Sequence, residues 1–457
     1  MTTDVVTARG YLADLLAGQA LPPATVAPPK LAWLKALRAE AIERVGVLKM
    51  PTPHDEAWRF TDISALTQQS FHPLRTPTSL QAGDIERFHI DEATTCLVFV
   101  DGVHAPQLSS GGVSGVGGGG VGGAGADAGG TAIVVGNLSS ATATQGSTIQ
   151  AHLGRHSAFH DKPFSALNTA FLQDAAVIVV PRDTSVATPV HLLFIATQPE
   201  LATHPRVLLV AEPGSAVTLI EDYVALHEGA YFTNSVVEVA LGANATVEHV
   251  RLQRESGQAF HIASCAVSLA QASRYHSVSV ALGARISRVE LDVRQTAAAT
   301  ECSLDGLALI GERQLADTHT FIDHAKPHGV SRQLHKTIVD GAAHAVFNGK
   351  VMVRPGAQRT DSAQSSRNLL LTAKALVDTL PQLEIFADDV KCTHGATVGQ
   401  LDNEEVFYLR SRGLSEAAAK NLLTYAFGAE VIDRIPVASL RRRLEQTVLE
   451  RTTTRQP

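Results

Sequence analysis

The sequence predicts a mainly β protein in which a parallel β-helix core is flanked by N-terminal and C-terminal α-helical segments. Strand-sized apolar runs follow one another through residues 175–353, and helical periodicity is confined to the two ends of the chain. Aromatic residues make up only 5% of the 457 residues, whereas hydrophobic residues make up 45% and charged residues 18%. This composition is typical of a soluble globular protein with a core of small and branched side chains, which favours stacked strands.

Residues 1–90 form the predicted N-terminal helical region. Between residues 30 and 48 the apolar positions recur at helical spacing, so one face of this segment is apolar. The first sixteen residues carry acids and an arginine where a signal peptide needs an unbroken apolar stretch, and no window reaches membrane-spanning length. We therefore expect a cytoplasmic protein.

Cysteine usage and net charge exclude several classes of protein. Cys96, Cys265, Cys302 and Cys392 lie far apart without a CxxC pair, which is neither a disulfide framework nor a self-contained zinc or iron–sulfur ligand set. The pattern fits a reducing cytosol. The formal net charge of −7 gives no electrostatic reason to expect nucleic acid or an anionic membrane as a partner.

Residues 91–160 form a transition that contains a glycine-rich insertion at residues 111–130. Twelve of these twenty residues are glycine and none is lysine. A phosphate-binding loop needs Lys-Ser or Lys-Thr after its glycines, so the tract is interpreted as a flexible insertion. Any ATP-dependent step would have to come from a partner.

Residues 161–366 form the predicted β-helix core. Turn glycines at positions 214, 242, 283, 311 and 341 are separated by 28, 41, 28 and 30 residues. A degenerate period near thirty without intervening helices indicates coils that bury their inner faces by stacking. A β-sandwich would show turn signals every eight to twelve residues. Within this core, the Asn-Gly pair in the "NGK" sequence of residues 348–350 predicts a tight turn between strands.

Residues 367–457 form the predicted C-terminal helical domain, which is preceded by a site segment at residues 384–401. Asp402 is the candidate N-cap of a first helix, which Gly413 would terminate. Ser415 is the candidate N-cap of a second helix, with Gly428 as its stop. A third helix is predicted to begin near Ser439.

The densest histidine cluster, which contains five histidines between residues 319 and 344, suggests one candidate metal site. Asp317 and Asp323 accompany these histidines, and imidazoles with carboxylates are common metal ligands. The histidine spacings of 5, 4, 7 and 9 match no compact ligand motif, so a structural or solvent-lining role is favoured. The alternative function that stays open is a metal-dependent β-helical enzyme that would use His319, His324, His328, His335 and His344.

The second candidate site is "ADDVKCTHGATVG", in which Cys392 and His394 are two residues apart. In an extended segment these side chains share a face, so they can meet in one pocket or at one interface. The imidazole could lower the pKa of the thiol, or both groups could bind a soft metal. Two ligands cannot close a tetrahedral site, so others must come from elsewhere in the chain or from a second subunit. A turn with a buried thiol is the competing interpretation.

Several stretches together resemble the SufB/SufD family of iron–sulfur cluster assembly proteins, and the resemblance covers nearly the whole chain. The "KCTHGATVGQLD" segment and the absence of a cysteine-rich N-terminal motif are closer to SufD members than to SufB members. The stretches are "PTPHDEAWRFTDI", "SALNTAFLQDAAVIVVP", "HTFIDHAKPHGVSRQLHK", "VFNGKVMV" and the segment from residue 360 to residue 413.

The resemblance implies a right-handed parallel β-helix and a non-catalytic scaffold subunit. Such a subunit would pair with a SufB paralogue and with SufC, an ABC-type ATPase that would hydrolyse ATP, and it would depend indirectly on a cysteine desulfurase system. His394 matches the family histidine at the SufB–SufD interface, and Cys392 is its neighbour. No tightly bound cofactor is implied, only transient iron or an iron–sulfur cluster at that interface. A homodimer of the isolated chain stays open.

The resemblance also implies that the C-terminal helices engage the ATPase. The SufC-binding region is therefore expected on the first of these helices. Its candidate contact residues are Glu404, Glu405, Phe407, Tyr408, Arg410 and Arg412.

Overall fold

A computed structural model of the chain describes residues 11–18, 32–72, 74, 78–111 and 132–454. Its dominant feature is a series of strands that alternate between two sheets. In chain order the described strands are β1 Thr95–Val100, β2 Val103–His104, β3 Val134–Asn137, β4 Ala176–Val180, β5 Val190–Ala196, β6 Ala202–Thr203, β7 Arg206–Ala211, β8 Ala216–Ala225, β9 Phe232–Leu241, β10 Thr246–Arg254, β11 Phe260–Leu269, β12 Arg274–Ala281, β13 Ile286–Gln295, β14 Glu301–Ile310, β15 Leu315–His324, β16 Val330–Val339, β17 His344–Val353, β18 Asp361–Leu370, β19 Leu376–Ile385 and β20 Lys391–Gly399.

Helices flank the strands on both sides along the chain, as predicted. The described α-helices are α1 Tyr11–Gly18, α2 Ala32–Val47, α3 Ser64–Thr67, α4 Ala82–Ile85, α5 Leu138–His152, α6 Pro163–Ala170, α7 Asn403–Ser411, α8 Glu416–Ile432 and α9 Ala438–Thr454. Helix α2 confirms the amphipathic helix predicted for residues 30–48. Of the glycine-rich insertion, residues 112–130 lie outside the described residues.

The two sheets form a parallel β-solenoid of about eight turns. One sheet has the order β2-β1-β5-β8-β10-β12-β14-β16-β18-β20, and the other has the order β19-β17-β15-β13-β11-β9-β7-β4-β3. The strands pair in parallel throughout, except that β1–β2 and β3–β4 are antiparallel. The mainly β, parallel fold class is thereby confirmed.

The coil length confirms the period near thirty. Register partners in β10, β12, β14, β16, β18 and β20 are separated by 28, 27, 29, 31 and 30 residues along the chain, as the positions show: Thr246, Arg274, Glu301, Val330, Asp361 and Lys391. Each coil therefore adds one strand to each sheet, so that every strand between the ends has a neighbour on both sides.

One turn of each coil repeats a left-handed backbone conformation. The residues at this turn have φ between +54° and +73° and are Asp183, Gly214, Asn244, Ala272, Ala299, His328 and Arg359. Each of them donates its backbone N–H to a carbonyl in the turn of the next coil, as His328 does to Gln358 at 2.9 Å. The turns are therefore stacked and hydrogen-bonded, although glycine occupies only one of these seven positions.

The solenoid interior and the helix-covered outer face have different cores. Inward-facing side chains such as Leu304 and Val351 form one apolar cluster that spans both sheets. Outward-facing side chains such as Leu307 and Ile338 pack against α8 and α9. Inward and outward positions alternate along each strand, as the pleat of a β-strand requires.

The strands continue beyond residue 366, where the sequence predicted that the β-helix core ends. Strand β18 extends to Leu370, and β19 and β20 add a further coil before the first C-terminal helix begins at Asn403. The physical reason is the interior of β18, whose buried inward side chains Gln364, Ser366 and Asn368 are polar. A strand with polar residues on its inner face lacks the apolar alternation by which the other strands were recognised.

Two glycine-based predictions differ from the structure. Residues 348–350 do not form a turn but lie in the middle of β17, which pairs with β15 and β19. Gly428 does not terminate α8 but is buried within it, since a Cβ there would stand 3.6 Å from carbons of Leu307 and Ile338. At Gly349 the missing side chain leaves space for the Gln364 side chain, whereas at Gly428 a Cβ would make only ordinary contact with the sheet.

The N-terminal "PTPHDEAWRFTDI" motif is anchored on the outer face of the solenoid. Arg288 on β13 is fully buried, with its guanidinium carbon 3.8 Å from the centre of the Trp58 ring. The same guanidinium pairs with Asp317 on β15, whose carboxylate also accepts a hydrogen bond from the Thr61 hydroxyl at 2.5 Å. The motif therefore fixes the N-terminal region to two neighbouring strands.

Candidate site on the terminal coil

The predicted site segment lies on the last strand of the solenoid. In the described part of the chain β20 hydrogen-bonds to β18 alone, and β19 is likewise the last strand of its sheet. The register places Cys392 beside Ser362 and His394 beside Gln364. Ser362 and Gln364 are buried inward-facing residues, so Cys392 and His394 share the inward face of β20.

Cys392 and His394 nevertheless differ in environment. Cys392 is half-buried and packs against the solenoid core beside Leu383 and Val390. Burial, assisted by the negative charge of Asp361, raises the pKa of its thiol. His394 is exposed, because no further coil among the described residues covers its side of the strand. The imidazole is therefore the group that is open to another molecule, whereas the thiol is protonated at neutral pH.

Exposed apolar residues that the sequence did not reveal lie on the same terminal coil as His394. Val398 on β20 and Ile385 on β19 lie on the inward faces of their strands, yet they are 48% and 40% exposed. Phe386, directly after β19, is 60% exposed. The alternation within β19 and β20 would have revealed these residues only if their place at the end of the solenoid had been known. A sheet edge with exposed apolar residues is a typical docking surface for another chain.

Helix α7 follows the terminal coil directly and exposes the residues predicted to contact an ATPase. Asp402 accepts a hydrogen bond from the Glu404 backbone at 2.8 Å, which confirms it as the N-cap, and Gly413 has a φ of 98° just after the helix. Ser415 likewise caps α8 through the Ala418 backbone at 3.1 Å. The predicted set is exposed throughout, namely Glu404, Glu405, Phe407, Tyr408, Arg410 and Arg412.

A cleft of about 720 Å³ separates α7 and α8 from the ends of the neighbouring strands. Val406, the buried residue of α7, lines it from one side, and Leu309 and Leu370 line it from the strands. Phe407 and Tyr408 point away from this contact, since they are 71% and 56% exposed. The helix thus presents an aromatic outer surface that is unexplained by packing within the described chain.

The five histidines of the alternative metal site do not converge. His324 and His335 are buried inside the solenoid, and burial lowers their pKa values to about 4 and about 3. His324 hydrogen-bonds to Ser331 at 2.9 Å, whereas the ring of His335 packs 4.4 Å from that of Phe347.

The remaining three histidines lie on the outside. His319 pairs with Asp317 at 2.9 Å, His344 pairs with Asp378 at 2.7 Å, and His328 occupies a stacked turn. Asp323, the other carboxylate near the cluster, pairs with Arg354. Among the residues that the structure describes, no group of three His, Cys, Asp or Glu side chains is arranged to bind a metal ion.

The other cysteines are also apart from the site. Cys265 and Cys302 are buried in the solenoid core, and Cys96 is half-buried on β1, 3.6 Å from a nitrogen of His191. Burial raises the pKa of Cys96 and of Cys302 to about 12.

No helix in the described ranges is long and apolar enough to cross a membrane.

Fold and site together define a β-solenoid protein with an uncovered terminal coil and an exposed histidine on its inner face. Two family descriptions match the chain: "SUF system FeS cluster assembly, SufBD core domain" over residues 194–427 and "SufBD protein N-terminal region" over residues 125–192. The chain belongs to the SufB/SufD family of iron–sulfur cluster assembly proteins and is most like SufD.

Individual relatives agree with this assignment. The chain is 40% identical to a Synechocystis iron–sulfur cluster assembly SufBD family protein, with 91% of this chain and 90% of the relative aligned. It is 32% identical to the iron–sulfur cluster assembly protein SufD of Escherichia coli, over 84% of this chain and 85% of that protein. It is 27% identical to SufD of Bacillus subtilis, over 92% and 94%. The predicted family is thereby confirmed.

Proposed function

We propose that this chain is a non-catalytic SufD-type scaffold subunit that pairs with a SufB paralogue through its terminal coil and works with the ATPase SufC in the cytoplasm. The observation that carries the proposal is the environment of His394, an exposed imidazole on the inward face of the last strand. In a complete solenoid, the inward face of a strand is covered by the coils on both sides.

A second solenoid would supply the neighbouring strands that β19 and β20 lack on their outer edges. Their free edges present backbone donors and acceptors in a row, which another strand satisfies by parallel or antiparallel pairing. Ile385, Phe386 and Val398 would then become buried. A paralogue with the same fold is a suitable partner because its own terminal strands present a matching edge.

His394 would act as one ligand of a composite iron or iron–sulfur site. An imidazole nitrogen and a thiolate from the partner together suit iron, and neither chain alone would complete the ligand set. The metal is cargo in this proposal, received and passed on at the interface. Sulfur would come indirectly from a cysteine desulfurase system.

Helix α7 would bind the ATPase. Its aromatic surface is exposed at Phe407 and Tyr408, and it is followed at once by the second helix of the C-terminal domain. Aromatic residues with neighbouring arginines are enriched in the energetically important parts of interfaces. ATP hydrolysis would thus be coupled to the coil end through the short connection between β20 and α7.

The site is tested by His394→Ala, with Thr393→Ala as the matched control on the opposite face of the same strand. We expect the His394 variant to co-purify with SufB and SufC and to fail in building clusters, measured by the visible absorption of the purified complex. The Thr393 variant should assemble clusters normally. Normal cluster formation by His394→Ala would refute the composite site.

The ATPase surface is tested separately by Phe407→Ser, with Val103→Ser as a control at an exposed apolar residue far along the chain. Pull-down of tagged chain should lose SufC in the first case and retain it in the second. SufB should remain bound to both variants, because the terminal coil is unchanged. Retention of SufC by the Phe407 variant would place the ATPase elsewhere.

A further inference from the structure

The lumen of the last coils is polar, unlike most of the solenoid interior. Four inward-facing register rows lead from β14 through β16 and β18 to β20, and one of them joins Leu304, Gln333, Gln364 and His394. The adjacent row includes His335. The interior is therefore apolar at β14 and polar at β16 and β18, the two strands that precede β20 in the sheet.

These interior side chains are short of hydrogen-bond partners within the protein. Gln333 is 5% exposed and donates nothing from its amide nitrogen, although its oxygen accepts from Thr320 at 2.8 Å. His335 is 6% exposed and its Nε2 has no partner. Gln364 is 3% exposed, and both its amide nitrogen and its amide oxygen lack a partner. Buried polar atoms of native proteins almost always have a hydrogen-bond partner, so we expect each of these atoms to have one that the protein itself does not supply.

The lumen has space for such a partner beside His335, in a cavity that Gln333 and Gln364 do not line. This internal cavity of about 30 Å³ lies between the two sheets, bounded by His335 and by the small residues Ser279, Gly306 and Ala308. This volume accommodates about two water molecules, and a cavity is hydrated when its walls offer polar atoms. Burial lowers the pKa of His335 to about 3, so its imidazole is neutral and offers both a donor and an acceptor.

The polar row ends beside the candidate site. His335 lies two strands from β20, a distance of about 10 Å across the sheet. Gln364 lies between them, one strand from His394 and on the same inward face. Neither atom of the Gln364 amide has a partner within the described residues, so the amide is available to the His394 ring on the neighbouring strand.

We propose that the lumen cavity beside His335 is a water-binding site and that Gln364, on the next strand of the same sheet, is a positioning residue for the His394 imidazole. Water in the cavity supplies the partner that His335 Nε2 lacks, at little cost in free energy. The amide of Gln364 then fixes which ring nitrogen of His394 carries the proton, because the hydrogen bond at one nitrogen sets the tautomer at the other. The relevance of this tautomer to cluster assembly rests on the proposed function, whereas the water-binding site does not.

The water-binding site is tested by crystallography of the wild-type chain at a resolution that shows ordered water, with a second crystal pressurised with xenon. We expect ordered water in contact with His335 and no xenon in the cavity. Xenon density without water would show a dry cavity and would overturn the proposal. An empty lumen that takes neither would overturn it as well.

The positioning role is tested by the tautomer ratio of His394, measured by nitrogen NMR of histidine-labelled protein. One tautomer should dominate in the wild type, and Gln364→Leu should shift the ratio toward that of free imidazole. Ser365→Ala, on the opposite face of β18, should leave it unchanged, and Gln364→Asn should restore part of the preference. An unchanged ratio in Gln364→Leu would refute the role, whatever the cluster-assembly assays of His394→Ala show.

Discussion

Replacing Arg288 by Met should destabilise the fold strongly, because its guanidinium joins the N-terminal motif to the solenoid. The side chain is fully buried and pairs with the buried carboxylate of Asp317 and with Glu290 at 2.8 Å, while it stacks on Trp58. Methionine preserves much of the volume but leaves the buried Asp317 carboxylate with only the His319 ring and the Thr61 hydroxyl as partners among the described residues. Breaking a buried pair in this way costs about 3–5 kcal/mol. Urea denaturation followed by circular dichroism measures this loss.

A matched control separates burial from charge. Arg274 pairs with Glu301 at 3.5 Å across neighbouring strands, but the two side chains are 59% and 48% exposed. Arg274→Met should therefore cost at most about 1 kcal/mol. Limited proteolysis should cleave the N-terminal region faster in the Arg288 variant alone. Equal losses of stability in the two variants, or a loss below about 1 kcal/mol for Arg288→Met, would refute this account of the motif.

The same cluster predicts a pH dependence. Burial alone would raise the pKa of Asp317, but the charge of Arg288, with further contributions from His319 and Thr61, outweighs it and leaves this pKa below its ordinary value. A lowered folded-state pKa means that the carboxylate stabilises the fold above its unfolded pKa of about 3.9, and that this stability is lost as the pH falls below that value. Arg288→Met should flatten this acid limb of the stability curve.

Three further substitutions test the packing. Gly428→Ala should raise the melting temperature, because the new Cβ makes ordinary contact with Leu307 at 3.6 Å and helix propensity gains about 1 kcal/mol. Gly349→Ala should lower the free energy of unfolding by about 1–3 kcal/mol, since its Cβ would overlap the buried amide of Gln364. Cys392→Ala should cost about 0.5–1 kcal/mol of stability and leave cluster assembly intact, as denaturation and visible absorption would show.

The β-solenoid was predictable from the sequence because strand-sized apolar runs follow one another along the chain. The spacing of the turn glycines matched the coil length only in part. The glycine spacing of 41 residues between 242 and 283 spans a coil whose left-handed turn residue is Ala272, with φ of 54°. Neighbouring coils hydrogen-bond to this turn on both sides and hold an alanine in a conformation that glycine adopts more readily. A pattern based on glycine cannot detect such a turn.

The C-terminal helices show where local signals suffice and where they fail. The caps at Asp402 and Ser415 were predicted because capping depends on a side chain and the backbone two or three residues away. Gly428 was misinterpreted because its role depends on Leu307 and Ile338, which are distant in sequence. Packing of α8 against the sheet therefore decided that the helix continues through this glycine.

The candidate site was located by the sequence, but its asymmetry was not. Two-residue spacing places Cys392 and His394 on one face, and this is what the register shows. Spacing contains no information about where a solenoid ends, however, and the end of the solenoid is what leaves His394 exposed. Cys392, by contrast, packs against the solenoid core, as Leu383 and Val390 of the same terminal coil do.

This asymmetry bears on how a composite site can be built without unfolding either partner. A ligand that belongs to the core of its own chain has to leave that core before it can bind a metal, and the lost packing opposes binding. His394 needs no such rearrangement, since its environment is completed only when another strand covers β20. In the proposed composite site, the exposed imidazole would therefore couple metal binding to subunit contact, whereas the half-buried thiol of Cys392 contributes to the stability of its own coil.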